Sequence, residues 1–248
     1  MALAGTASAA LVQVSVTIEN LAPANSVTFA PLHLGFNNGS FDAFKLGQIG
    51  SAGIVSVAEG GSATVWQADF AAADPSASRG TIGGPLFPGA TKTATFLVDT
   101  ALNPYFTFGS RVVPSNDFFI GNDAPTEYRL FNGSTALQLS SISLKAHEIR
   151  DAGSEAYDPA AAAFVGNNSL RAAQHSVVAF NFAERHAFNG LATAAGYTFN
   201  SQLAANTDIY LIRFSAAAVP EPESYALMAT GLLALGALAR RRQVGQRG

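Results

Sequence analysis

Val12-Gln13-Val14-Ser15-Val16-Thr17-Ile18 alternates without a break, so that Val12, Val14, Val16 and Ile18 share one face of an extended chain. A period of two sustained over seven residues and carried by β-branched side chains marks a strand buried on one side. Outward from it, strand-like runs recur at residues 32–36, 64–70, 91–98, 105–113, 137–144, 177–182 and 208–214. Between them stand Asn37-Asn38-Gly39, Gly83-Gly84-Pro85, Pro88-Gly89, Asn132-Gly133 and Asn189-Gly190. Gly and Asn tolerate positive φ and Pro fixes negative φ, so these are turn sequences with a mechanism. Many strands punctuated by tight turns predict an all-β protein, an antiparallel β-sandwich. One interval departs from the pattern. Leu46, Ile49, Gly53, Ile54, Val57 and Ala58 recur at three- and four-residue steps and predict a short helix ended by Gly60-Gly61. Residues 159–174, with four consecutive alanines and then Gly166-Asn167-Asn168, read as an irregular loop or a short helical insertion.

Composition narrows the function classes. Apolar types make up 48% of the 248 residues and charged types 12%, a balance that favours a packed core over disorder. Cysteine is absent, which excludes disulfides, thiolate metal sites and Cys nucleophiles. Residues 1–219 carry ten Lys or Arg against fifteen Asp or Glu. That acidic excess gives no footprint for nucleic acid and favours cations as small partners. His33, His147, His175 and His186 are dispersed, outside any zinc-ligand or nucleophile–base spacing. There is no nucleophile elbow, phosphate loop or dinucleotide fingerprint, and Gly83-Gly84 runs into Pro85, which has no amide to offer a phosphate. No catalytic residue is assigned, and the chain is read as non-enzymatic.

The two ends speak of export. Residues 1–10, ending in Ala7-Ser8-Ala9-Ala10, read as the remnant of a signal peptide. At the other end, Val219-Pro220-Glu221-Pro222 precedes an apolar run at 226–239 and then Arg240-Arg241-Arg242. The prolines keep the segment extended. The fourteen apolar residues span about 21 Å as a helix, short of the ~30 Å hydrocarbon core. The arginines form a cytoplasmic retention charge. This order of parts at 219–242 closely resembles the PEP-CTERM sorting signal, with 243–248 as a tail. The resemblance implies a Gram-negative host, processing by an exosortase, transient tethering in the inner membrane by a transmembrane helix, and delivery to the cell surface or extracellular matrix.

Two acidic segments stand out in the body, residues 11–218. Asp117 falls in a turn of Val112-Val113-Pro114-Ser115-Asn116-Asp117-Phe118, and Asp151-Ala152-Gly153-Ser154-Glu155 sets two carboxylates four apart around a glycine. On residue types alone, turn-capping or solvated acids are the simpler reading, since neither loop has EF-hand spacing. Together with Val16-Thr17-Ile18-Glu19-Asn20-Leu21 and the 51–60 segment, however, these motifs make residues 12–215 resemble the spondin N-terminal domain family. The resemblance implies a C2-like β-sandwich that binds calcium through Asp117, Asp151 and Glu155. It departs from the family's usual pattern at Asn116, Phe118 and Glu155, where Pro, Trp and Asp are common. The function expected is an exported adhesion or matrix-binding protein, with exopolysaccharide or surface proteins as partners. Its rivals are an exported polysaccharide-acting enzyme, for which Lys145 near Asp151 would be a candidate base, and a structural surface protein without calcium.

Overall fold

A computed structural model describes residues 11–180 and 184–219. The strands are β1 (Leu11–Asn20), β2 (Thr28–Phe29), β3 (Leu32–Asn37), β4 (Ser78–Ile82), β5 (Thr91–Asp99), β6 (Tyr105–Val113), β7 (Phe118–Gly121), β8 (Tyr128–Arg129), β9 (Ser141–Lys145), β10 (Arg150–Asp151), β11 (Ala179–Phe180) and β12 (Asp208–Ala218). Two helices, α1 (Ala52–Gly60) and α2 (Thr64–Ala73), separate β3 from β4.

The strands form two antiparallel sheets, as the turn-rich pattern predicts. The first has the order β5-β1-β12-β9; the second runs β11-β10-β7-β6-β3-β4, with β2 and β8 also paired to β6. Val12, Val14, Val16 and Ile18 of β1 are all 1% exposed or less, and they belong to one core with Phe36, Phe106, Phe108, Tyr210 and Ile212. On the outer face of the same strand, Ser15 and Thr17 meet Thr95 and Thr93 of β5 through hydroxyl contacts of 3.3 and 2.9 Å. The alternation read from the sequence is therefore the inside and outside of a sheet.

β6 is buried along almost its whole length because both its faces are covered. Phe106 and Phe108 enter the sandwich core, while a second cluster of Phe41, Phe44, Ile54, Val57, Trp66, Phe70 and Phe119 gathers the two helices over the other face of the sheet, above β3, β6 and β7. Close helix–sheet approach needs small residues beneath. A Cβ on Gly35 would lie 2.4 Å from the Phe70 ring, and Gly109 sits under Ile54, Val57 and Trp66. α1 begins where Ser51 Oγ accepts from Ile54 N at 3.2 Å, and it ends at Gly61, whose φ of 63° is the left-handed stop that the glycine pair predicts.

Three expectations are corrected. Residues 64–70 are not a strand but most of α2, because Trp66 and Phe70 stand one helical turn apart, both buried, and an alanine run of high helix propensity follows. Leu46 and Ile49 precede α1 rather than belong to it. Of the runs at 137–144 and 177–182, only Ser141–Lys145 covers part of the first and Ala179–Phe180 part of the second; residues 181–183 lie outside the described residues. Residues 159–174 are irregular apart from a single 3-10 turn, Asn168–Leu170. No helix among the described residues is long and apolar enough to cross a membrane. The apolar run at 226–239 lies outside them.

Candidate functional site: the acidic corner of Asp117 and the 151–155 loop

The turn between β6 and β7 is organised by a buried cation. Arg111, 6% exposed, points from β6 into that turn and donates from Nη2 to the carbonyls of Asn116 at 2.7 Å and Ser115 at 3.3 Å. Its Nη1 donates to the carbonyl of Glu59 at the end of α1. One guanidinium fork thus ties helix end to turn, a task that its rigid planar geometry suits. Burial lowers the Arg111 pKa to about 10, against the opposing pull of Glu155 and Asp117, so it stays charged at neutral pH.

Asp117 is 1% exposed. Its Oδ2 accepts from Ser154 N at 2.7 Å, Glu155 N at 3.0 Å and Ser154 Oγ at 3.0 Å, while its carbonyl accepts from Ala152 N at 3.2 Å. The 151–155 loop is delivered there by β10, whose Asp151 pairs with Phe118 of β7. Asp151 Oδ1 accepts from Gly153 N at 2.7 Å and folds the loop on itself. Gly153 has φ 69°, and a Cβ there would stand 2.6 Å from the Ser176 carbonyl oxygen, so only glycine fits.

Glu155 is 4% exposed. Its Oε1 accepts from Arg171 Nη1 at 2.9 Å, the same nitrogen lies 3.6 Å from Glu59 Oε2, and its Oε2 is buried without a hydrogen-bond partner. Burial first, and then the charge of Glu59, push the Glu155 pKa up, with Arg171 and Arg111 pulling it down.

The three acids that the spondin resemblance singles out therefore meet at one corner, yet one oxygen of each, Asp117 Oδ2, Asp151 Oδ1 and Glu155 Oε1, is taken by protein donors. Calcium needs about six to eight oxygens around one point. Asp117 Oδ2 already serves three donors and Glu155 Oε1 is held by a guanidinium, with Arg111 a second cation nearby. Among the described residues, no three His, Cys, Asp or Glu side chains are gathered to hold a metal ion. The donor set as placed does not fit calcium. Lys145, weighed as a base, points away to Asp208 at 3.4 Å and the Asn206 carbonyl at 3.3 Å. Arg111, Arg171 and Glu59 carry the corner's electrostatics without having been assigned a role from the sequence. Only Arg111 offers a signal there, as a lone cation inside an apolar strand run. A cleft of about 280 Å³ opens beside the corner, lined by Ile49, Val55, Glu59, Ser154 and His175 among others.

Residues 218–243 match the PEP-CTERM protein-sorting motif. No curated protein matches the chain. Val219, 37% exposed, is described; Pro220, Glu221, Pro222, Arg240, Arg241 and Arg242 lie outside the described residues. The match starts on Ala218, the last residue of β12. The chain thus carries the sorting signal of an exported protein, one held transiently at a membrane and processed by an exosortase.

Proposed function

We propose that the body of this protein is a spondin-like binding module, displayed at the surface or in the extracellular matrix of a Gram-negative cell once an exosortase has removed its tail. The observation that carries this reading is the junction of fold and signal. β12, a strand of the first sheet, runs to residue 218, and the sorting motif begins at that residue, so cleavage beyond it leaves every described strand in place. A body built to survive loss of its anchor is a body that works after release.

Two surface features support binding over turnover. Ile49 and Val177 are 64% and 41% exposed and bridge to one another, so two apolar side chains lie together beside the acidic corner. A second groove of about 320 Å³ presents Phe87, Pro88 and Tyr197 beside Asn25, a mixture of apolar faces and amide suited to sugar rings. Exopolysaccharide is the partner class this surface favours.

The test expresses the full chain in a host with an active exosortase and in the same host lacking it. The expected result is a mass loss corresponding to the tail, and transfer of the body from membrane to surface, only where the exosortase is present. Equal mass and equal fractionation in the two hosts would refute the sorting step. Release of new reducing ends from the host polysaccharide by the purified protein would replace the binding module with an enzyme.

A further inference from the structure

Residues 166–175 are ten consecutive exposed positions laid as a strap along the 153–156 loop. Main-chain bonds hold the strap in register. Ala156 N donates to Ala172 O at 2.8 Å, Gln174 N to Ser154 O at 2.7 Å and Ser176 N to Gly153 O at 2.8 Å, with Glu155 bridged to Ala173. Arg171 is the strap's one permanently charged side chain, and it reaches inward to both Glu155 and Glu59.

The charge balance explains why it does so. Glu155 is almost fully buried, and a second carboxylate, Glu59, lies close enough to share one nitrogen with it. Two like charges so placed in a partly dry corner require a cation between them. A guanidinium meets that need with a charge it cannot lose, whereas a divalent ion would have to evict it and approach Arg111 as well.

We infer that Arg171 stands in the place of a divalent cation at this corner and latches the 166–175 strap over the 153–155 loop without metal. The geometry makes the exchange explicit. With Arg171 gone, Glu155 would present two unserved oxygens, since Oε2 already has no hydrogen-bond partner, and Glu59 would face it across the vacated nitrogen position. That is a nascent oxygen site for a hard cation. Arg171 thus suppresses metal binding in the chain as it is.

The experiment compares the full chain and Arg171→Gln by thermal unfolding in millimolar calcium chloride and in chelator, with hydrogen exchange read at the amides of Ala156, Gln174 and Ser176. The expected result is a wild-type midpoint that does not respond to calcium. The variant's midpoint in chelator should lie about 2–4 °C lower, recover when calcium is added, and show faster exchange confined to those three amides. Arg171→Lys, which keeps a point charge but loses the fork, should fall between the two. A wild-type midpoint that rises with calcium overturns the inference and restores the three-acid calcium site, leaving the exported binding module intact. An Arg171→Gln protein as stable as wild type in chelator, with unchanged exchange at the three amides, overturns it too.

Discussion

Replacing Asp117 with alanine tests whether this carboxylate is the keystone of the corner. The substitution removes an acceptor that serves Ser154 N, Glu155 N and Ser154 Oγ. The Ser154 hydroxyl can rotate to another partner, but the two main-chain amides are fixed by the loop. A buried donor left unpaired costs about 1–3 kcal/mol. The neighbouring Arg111 also loses one of the three acids, Glu155, Asp117 and Glu59, whose charge favours its protonated form. Together these give a loss of about 3–5 kcal/mol. Asp117→Asn keeps one carbonyl oxygen as acceptor and loses the charge, so its cost should be about 1–2 kcal/mol. Urea unfolding followed by the fluorescence of Trp66 measures both, because it is the only tryptophan and is fully buried in the helix cluster. Since every partner is internal, the losses should be the same in chelator and in calcium. A cost below about 1 kcal/mol for Asp117→Ala would show that the loop holds its shape without this acceptor, and the account of the corner would fall.

Two further outcomes follow from buried groups elsewhere. His33 is 3% exposed, with Nε2 against the Gly61 carbonyl and Nδ1 against the Thr81 hydroxyl, both at 3.0 Å; burial lowers its pKa, with the Gly61 bond opposing. The unfolded chain therefore takes up a proton that the fold resists, so this histidine's contribution to stability is lost as pH drops below about 6.5. His33→Gln should flatten the fall in unfolding midpoint between pH 7.5 and pH 5.5, and an unchanged fall would contradict the assignment. Gly35→Ala places a Cβ 2.4 Å from the Phe70 ring, which is stacked on Phe41 at 4.1 Å and packed edge-on to Trp66 at 5.1 Å. With that ring wedged, overpacking should cost about 1–3 kcal/mol in urea unfolding, and a neutral result would mean that the helix pair floats on the sheet.

The sandwich was legible because its signal is local: alternation at 12–18 and a turn after each run give the sheets without knowledge of the partners. Residues 64–70 misled for a related reason. Thr, Val, Trp and Phe favour strands one by one, and only the joint burial of Trp66 and Phe70 over Gly35 and Gly109 selects the helical period. The short strands β7 and β10 leave no mark in the sequence, since two to four residues carry no period at all. At the corner, sequence brought Asp117 together with the 151–155 loop correctly, through motifs rather than through physics. The identity of the cation was out of reach, because Arg171 is remote from Glu59 in sequence and meets it only through the strap.

The position of β12 between β1 and β9 has a consequence in time. A chain exported from its N-terminus delivers β1 and β9 long before residues 208–218, yet both need that strand as their neighbour. Until it emerges, the first sheet has a gap at its centre and two open edges of the kind that invite unwanted pairing. The sorting motif begins at Ala218, on the last residue of that strand. The strand that closes the sheet is therefore the last part of the body to be delivered before the sorting signal. A sheet left open at its centre is the state most exposed to such pairing, and its closure waits on the strand that adjoins the sorting motif.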